Sequence, residues 1–145
     1  MEYLVLPLDY IIKLTLAASI GSIIGLERKF ARKDASLRTF MLISLGSCLY
    51  TIISLDPSFN SSTSDPARVT AQIVAGIGFL GAGVIFRNGN STSGLTTAAL
   101  MWFTGGIGIA CGIGFYSLAI FCLVLTQVYL FILRLVNKYF FRKKP

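Results

Sequence analysis

The sequence predicts an all-α fold, a polytopic transmembrane helix bundle of about five spans, on three observations. Charged residues make up only 13% of the 145 residues, against about 25% in a soluble domain. Hydrophobic residues reach 54%, with a mean hydropathy of +0.74. Nearly all the charges fall between long apolar runs. This length leaves room for one domain, residues 1–145.

Each run justifies one span. The first covers Tyr10 to Leu26, the second Thr39 to Leu55, the third Val69 to Phe86, the fourth Leu95 to Gly114 and the fifth Tyr116 to Val136. A helix of such length crosses ~30 Å of hydrocarbon at 1.5 Å per residue. Membrane strands are disfavoured, because the runs lack period-two alternation and are too long. "DPSFNSSTSDPAR" (Asp56 to Arg68) reads as a polar loop, and "RNGNSTSG" (Arg87 to Gly94) as a short turn-rich one. The fourth and fifth spans are joined almost directly through "GIGFYS", a tight hairpin that predicts antiparallel packing.

Charge placement sets the orientation. Arg28, Lys29, Arg32, Lys33 and Arg38 separate the first two spans, Arg87 follows the third, and Lys138, Arg142, Lys143 and Lys144 follow the fifth. The opposite side holds Glu2, Asp9, Asp56, Asp65 and Arg68. The positive-inside rule then places the N-terminus outside and the C-terminus in the cytoplasm, which requires an odd number of spans. The net charge of +7 is accounted for by this pattern and does not point to nucleic acid. Acidic residues lead the chain without a basic n-region, so no cleavable signal is expected.

Glycine is concentrated in the spans. Ladders at four-residue spacing run through Ala17, Gly21 and Gly25, through Gly78 and Ala82, through Gly108 and Gly112, and through Gly106, Ala110 and Gly114. Small residues let helix backbones approach in lipid, within one subunit or at an interface. Gly21, Gly25, Gly76, Gly78, Gly81, Gly83, Gly108 and Gly112 are the packing or interface positions. The density of Gly76, Gly78, Gly81 and Gly83 predicts a kink in the third span.

Polar groups gather at the span ends. Asp65-Pro66 predicts an N-cap and first helical residue. Asp65, Arg68 and Gln72 then share one helix face, where Asp65 and Arg68 can pair. That face reads either as a capped helix whose arginine snorkels or as a polar entrance leading to Gln72. On the other side, Glu27, Arg28, Arg38 and Arg87 lie at span ends, with Ser93, Thr96 and Thr97 capping the fourth span. Together they predict a cytoplasmic polar cluster with Glu27 as its lone acid. Lys13 lies inside the first span and snorkels outward.

Histidine is absent. Cys48, Cys111 and Cys122 lie in apolar runs without metal-ligand spacing and read as small buried hydrophobes. Neither paired intramembrane carboxylates nor a nucleophile motif appears. The expectation is therefore a non-enzyme with no catalytic residue, cofactor or metal site.

The motifs "GSIIGLERK" (Gly21 to Lys29), "LRTF" (Leu37 to Phe40), "DPARVTAQIVAGIGFLGAGVIF" (Asp65 to Phe86) and "GLTTAALMWFTGGIGIACGIG" (Gly94 to Gly114) occur in this order. In that order they resemble the membrane domain of the MgtC/SapB family. The resemblance implies a multi-pass protein of the bacterial inner membrane, associated with magnesium limitation, magnesium transport and virulence. It implies action on the F-type ATP synthase and membrane potential. Many members add a soluble C-terminal domain, expected to be lacking here. By motif match it singles out Glu27, Arg28, Arg38, Thr39, Asp65, Arg68, Gln72, Thr96, Thr97 and Trp102.

Two functions compete. One is a regulator that binds another membrane protein, such as the ATP synthase, by helix packing. The other is a transporter or channel for Mg²⁺ or another small solute. Hard cations need oxygen ligands, and none of the six acids lies at mid-membrane. The expected partners are the lipid bilayer, a second copy in a homodimer, and a membrane protein, with no nucleic acid. The orientation has a direct check. Cysteine-accessibility labelling is expected to place "ERKFARK" and the tail after Val136 on one side of the membrane, with residues 57–64 on the other; opposite sides for the two basic segments would refute it.

Overall fold

The computed structural model describes residues 6–31, 36–56, 65, 67–88 and 91–140. It has five helices: α1 (Leu8–Phe30), α2 (Leu37–Leu55), α3 (Ala67–Ala82), α4 (Leu95–Ile113) and α5 (Tyr116–Phe140). α1, α2, α4 and α5 are long and apolar enough to cross a membrane. The chain is an all-α membrane protein, as the runs of apolar sequence predict.

α3 departs from expectation. The third span was expected to run to Phe86, but the helix has 16 residues, about 24 Å at the helical rise. It runs unbroken from Ala67 to Ala82, without a break at its glycines, and Gly83 lies beyond its end. The chain then forms a two-stranded antiparallel hairpin, β1 (Phe86–Asn88) with β2 (Ser91–Ser93), where the sequence predicted only a turn-rich loop. The hairpin closes at Gly94, whose φ of 87° suits glycine. A Cβ on Gly94 would strike the Val84 carbonyl, so the returning chain passes against the end of α3. Gly94 is also the N-cap of α4, and no side chain caps that helix. The expected caps serve elsewhere: the Ser93 hydroxyl donates to the Phe86 carbonyl at 3.5 Å, and the Thr97 side chain is buried.

The core is a tight group of α1, α2 and α4. A Cβ on Gly21 would lie 2.6 Å from the Phe40 carbonyl oxygen, and one on Gly25 would lie 2.6 Å from the Leu37 Cα. α1 therefore packs antiparallel to α2, backbone against backbone. Gly108 meets Ser44 and Ser47 in the same way, and a Cβ on Gly112 would stand 2.6 Å from the Thr51 Cβ, so α4 runs parallel to α2. Between them Ile20, Ile24, Phe40, Cys48, Met101 and Cys111 are buried. α3 packs antiparallel on α4, with Ile77 over Gly105 and Gly81 against Ala98.

α5 is peripheral. Only 6% of its most apolar stretch is buried, against 56% of that of α4. It starts after a left-handed Gly114 (φ 98°), where the Phe115 N–H bonds the Ala110 carbonyl at 2.8 Å and stops α4. This is the tight turn the sequence predicts.

The packing separates the glycines into two groups, which sets a prediction. Gly21→Leu or Gly108→Leu is expected to cost about 2 kcal/mol or more, the usual range for overpacking. Gly76→Ala and Gly78→Ala, where a Cβ meets nothing within 4 Å, are expected to cost nothing. Reversible unfolding in detergent checks all four.

Candidate functional site

Ionic groups collect at the two ends of the bundle. At the end where α1 begins, Lys13 pairs with Asp9 at 2.7 Å, and the Tyr116 hydroxyl donates to the same carboxylate at 3.0 Å. Lys13 therefore turns toward the rim, as its position near the helix start predicts. The Tyr10 hydroxyl reaches Asp56 at 3.4 Å, tying α1 to the end of α2.

The opposite end holds a more enclosed group. Arg28 is only 5% exposed although it lies in the last turn of α1, where its charge suits the helix dipole. Its guanidinium grips Glu27 with two bonds, Nε to Oε2 at 2.5 Å and the second nitrogen to Oε1 at 2.7 Å. Arg134 of α5 donates to the same Oε1 at 2.5 Å. Glu27 thus balances two arginines, and its burial is sustained because every oxygen is bonded. Gln127 lies beside this group in a hollow that also includes Phe30 and Phe131, and its Nε2 is buried without a bonding partner.

Sequence reasoning anticipated Glu27 as the acid at the centre of a cluster but did not single out Arg134. The partners are 107 residues apart. The one available signal was a charged residue inside an otherwise apolar fifth run. The Asp9–Tyr116 bond has the same separation. α1 and α5 are therefore parallel, tied near both ends over a rise of about 27 Å.

The cluster is smaller than predicted. Arg38 forms no ion pair with any described acid, Arg87 is exposed on β1, and Thr96 is exposed at the start of α4. The ion pairs of Glu27 among the described residues are with Arg28 and Arg134, so Arg38 and Arg87 take no part in them.

Asp65 fulfils its predicted cap, with Oδ1 accepting the Ala67 N–H at 2.9 Å. Asp65 and Arg68 make no ion pair among the described residues, and both are exposed. Gln72 instead lines a groove between α2 and α3 of about 680 Å³. Arg38 and Thr39 line one end of this groove, Gln72 and Tyr50 the other. Gly46 and Gly76 face open space within it, and neither Gly46 nor Tyr50 was singled out from sequence. Trp102 is 55% exposed on the far side of α4. With Val74 of α3 and Gly106 of α4 it borders a second hollow. Gly21, Gly25, Gly108 and Gly112 are used up in contacts within the subunit, so they offer no outer interface. Among the described residues no three His, Cys, Asp or Glu side chains converge.

The MgtC family model matches residues 14–139. The chain belongs to the MgtC family. This MgtC family chain is 44% identical over 115 residues to Protein SapB of Bacillus subtilis (strain 168), covering 75% of the chain and 50% of the relative. It is 42% identical over 120 residues to Protein MgtC of Salmonella typhimurium (strain LT2), covering 83% and 50%. An uncharacterized Haemophilus influenzae protein is 41% identical over 138 residues, covering 90% and 58%. The chain thus spans about half the length of these curated relatives. No solved structure matches it.

The enclosed ion group generates a mutational prediction. Glu27→Ala leaves the buried Arg28 uncompensated and is expected to cost about 3 kcal/mol. Arg134 is half exposed, so Arg134→Ala is expected to cost under about 1 kcal/mol. Unfolding of both single variants and the double variant measures the coupling.

Proposed function

We propose that this MgtC family chain is a non-enzymatic protein of the bacterial inner membrane, tied to magnesium homeostasis under limitation and to virulence, that acts by binding another membrane protein. The family resemblance makes the F-type ATP synthase the partner to test first. The carrying observation is the distribution of charge. Every described acid lies near a bundle end, and the α1, α2 and α4 interior is closed by backbone contact at Gly21, Gly108 and Gly112. A cation path needs oxygen ligands along its length, so this arrangement favours regulation over transport.

The surface that suits a partner helix is the outer face of α3 and α4. Gly78 and Gly106 offer open space there, and the exposed Trp102 gives an aromatic anchor beside them. A second copy of the chain is the other occupant of this proposal, as a homodimer.

Co-reconstitution of the full chain with F-type ATP synthase tests the reading. Wild type is expected to co-purify with the synthase and lower its ATP-driven proton pumping, and Gly78→Leu or Trp102→Ala to lose both effects. Liposomes holding the chain alone and a Mg²⁺ dye are expected to show no flux. Flux that depends on Asp65, with synthase capture absent, would overturn the proposal in favour of transport.

A further inference from the structure

The groove between α2 and α3 has the dimensions, opening and charge of a lipid site. It extends along α2 from Arg38 to Tyr50, about 18 Å at the helical rise. Half of a hydrocarbon core ~30 Å thick is about 15 Å. The groove therefore begins at the rim and passes the midplane, reaching Val69 and Gln72 in the first turns of α3 at its far end. Its walls are apolar along most of this length, including Leu42, which is 59% exposed, and Leu80, which is 51% exposed. These exposures mean that the groove opens sideways, toward surrounding lipid.

Its volume of about 680 Å³ leaves room for an extended acyl chain along that length. The space accepts one extended chain, and the charge at its rim end, unpaired among the described residues, favours a lipid headgroup over a helix of a partner or a second copy. Gly46 and Gly76 keep it open: a Cβ on either would meet nothing within 4 Å.

Charge decides which lipid. Arg38 is exposed at the rim end of the groove and pairs with no acid among the described residues. The first turn of α2 contains no acid, and the Ser36 hydroxyl contacts the Thr39 hydroxyl at 3.2 Å without capping the helix. Arginine matches a phosphate by paired hydrogen bonds. We infer that this groove binds one anionic phospholipid of the leaflet on the Arg38 side, with its phosphate on Arg38 and Thr39 and one acyl chain lying past Gly46 and Gly76. In the orientation the loops predict, that leaflet is cytoplasmic. The inference is independent of the protein partner, because it uses α2 and the other face of α3.

Native mass spectrometry of the full chain released from nanodiscs of phosphatidylglycerol and phosphatidylethanolamine tests it. Wild type is expected to retain one phosphatidylglycerol. Arg38→Ala is expected to lower that retention about tenfold, the loss of one charge-assisted bond, and to lower phosphatidylethanolamine retention less, because its own ammonium already offsets the phosphate charge. Arg38→Lys is expected to restore most of it. Gly46→Leu and Gly76→Leu are expected to exclude the chain and abolish retention of both lipids, with the unfolding midpoint unchanged. Retention indifferent to Gly46→Leu in a folded protein would overturn the site, as would a loss caused equally by 10 mM inorganic phosphate in wild type and Gly46→Leu, which marks a headgroup contact without a chain. A dimer that dissociates on Gly46→Leu would overturn it in favour of a second copy.

Discussion

The contact between the α1 backbone and the α2 backbone at Gly21 and Gly25 is the constraint from which the arrangement follows. Lipid tails are as apolar as leucine, so burial of apolar surface gives helices little reason to associate in a membrane. Association then rests on close packing, and close packing requires the loss of side chains at the crossing. With Cα hydrogens in place of Cβ atoms, the Phe40 carbonyl and the Leu37 Cα come within reach of α1. Gly108 and Gly112 repeat the device on the other side of α2. α2 is held on both flanks by backbone contact, and the remaining helices are arranged about this unit.

The same constraint explains what is loose. α5 has no glycine among its residues and buries little of its surface. It is tied instead by polar bonds near its two ends, Tyr116 to Asp9 and Arg134 to Glu27. In hydrocarbon such bonds cost little competition from water, but they act only where the side chains reach the rims. α3 is short, and its glycines split between two uses. Gly81 lies against α4, while Gly76 and Gly78 leave gaps on the outer surface. A protein whose interior is closed and whose edges are open is suited to recognition at its lipid-facing sides.

Charge follows the same division. Glu27 and Arg28 are buried together because adjacent side chains at a helix end can form two bonds at once, with Arg134 supplying a third. Arg38 lies one loop away and is left without a carboxylate among the described residues. Two arginines close in sequence thus meet different environments: one is neutralised inside the bundle, and one is presented at the mouth of a groove. No difference in residue type foretells this, since it depends on which helix face each occupies.

Composition and the positions of the apolar runs determined the helices, their number, the Asp65 cap and the tight turn at Gly114, because those features follow from local chemistry and the thickness of the bilayer. The concentration of glycine likewise required close helix contacts. Tertiary structure alone decided which glycines make them: Gly108 and Gly106 are two residues apart on one helix, yet a Cβ on the first would strike Ser44 and one on the second would meet nothing within 4 Å. It alone joined Arg134 to Glu27 and ended α3 at Ala82, with the β1–β2 hairpin folding back through Gly94. These outcomes depend on rotation and register between helices distant in sequence, and hydropathy constrains neither when every face of a span is apolar.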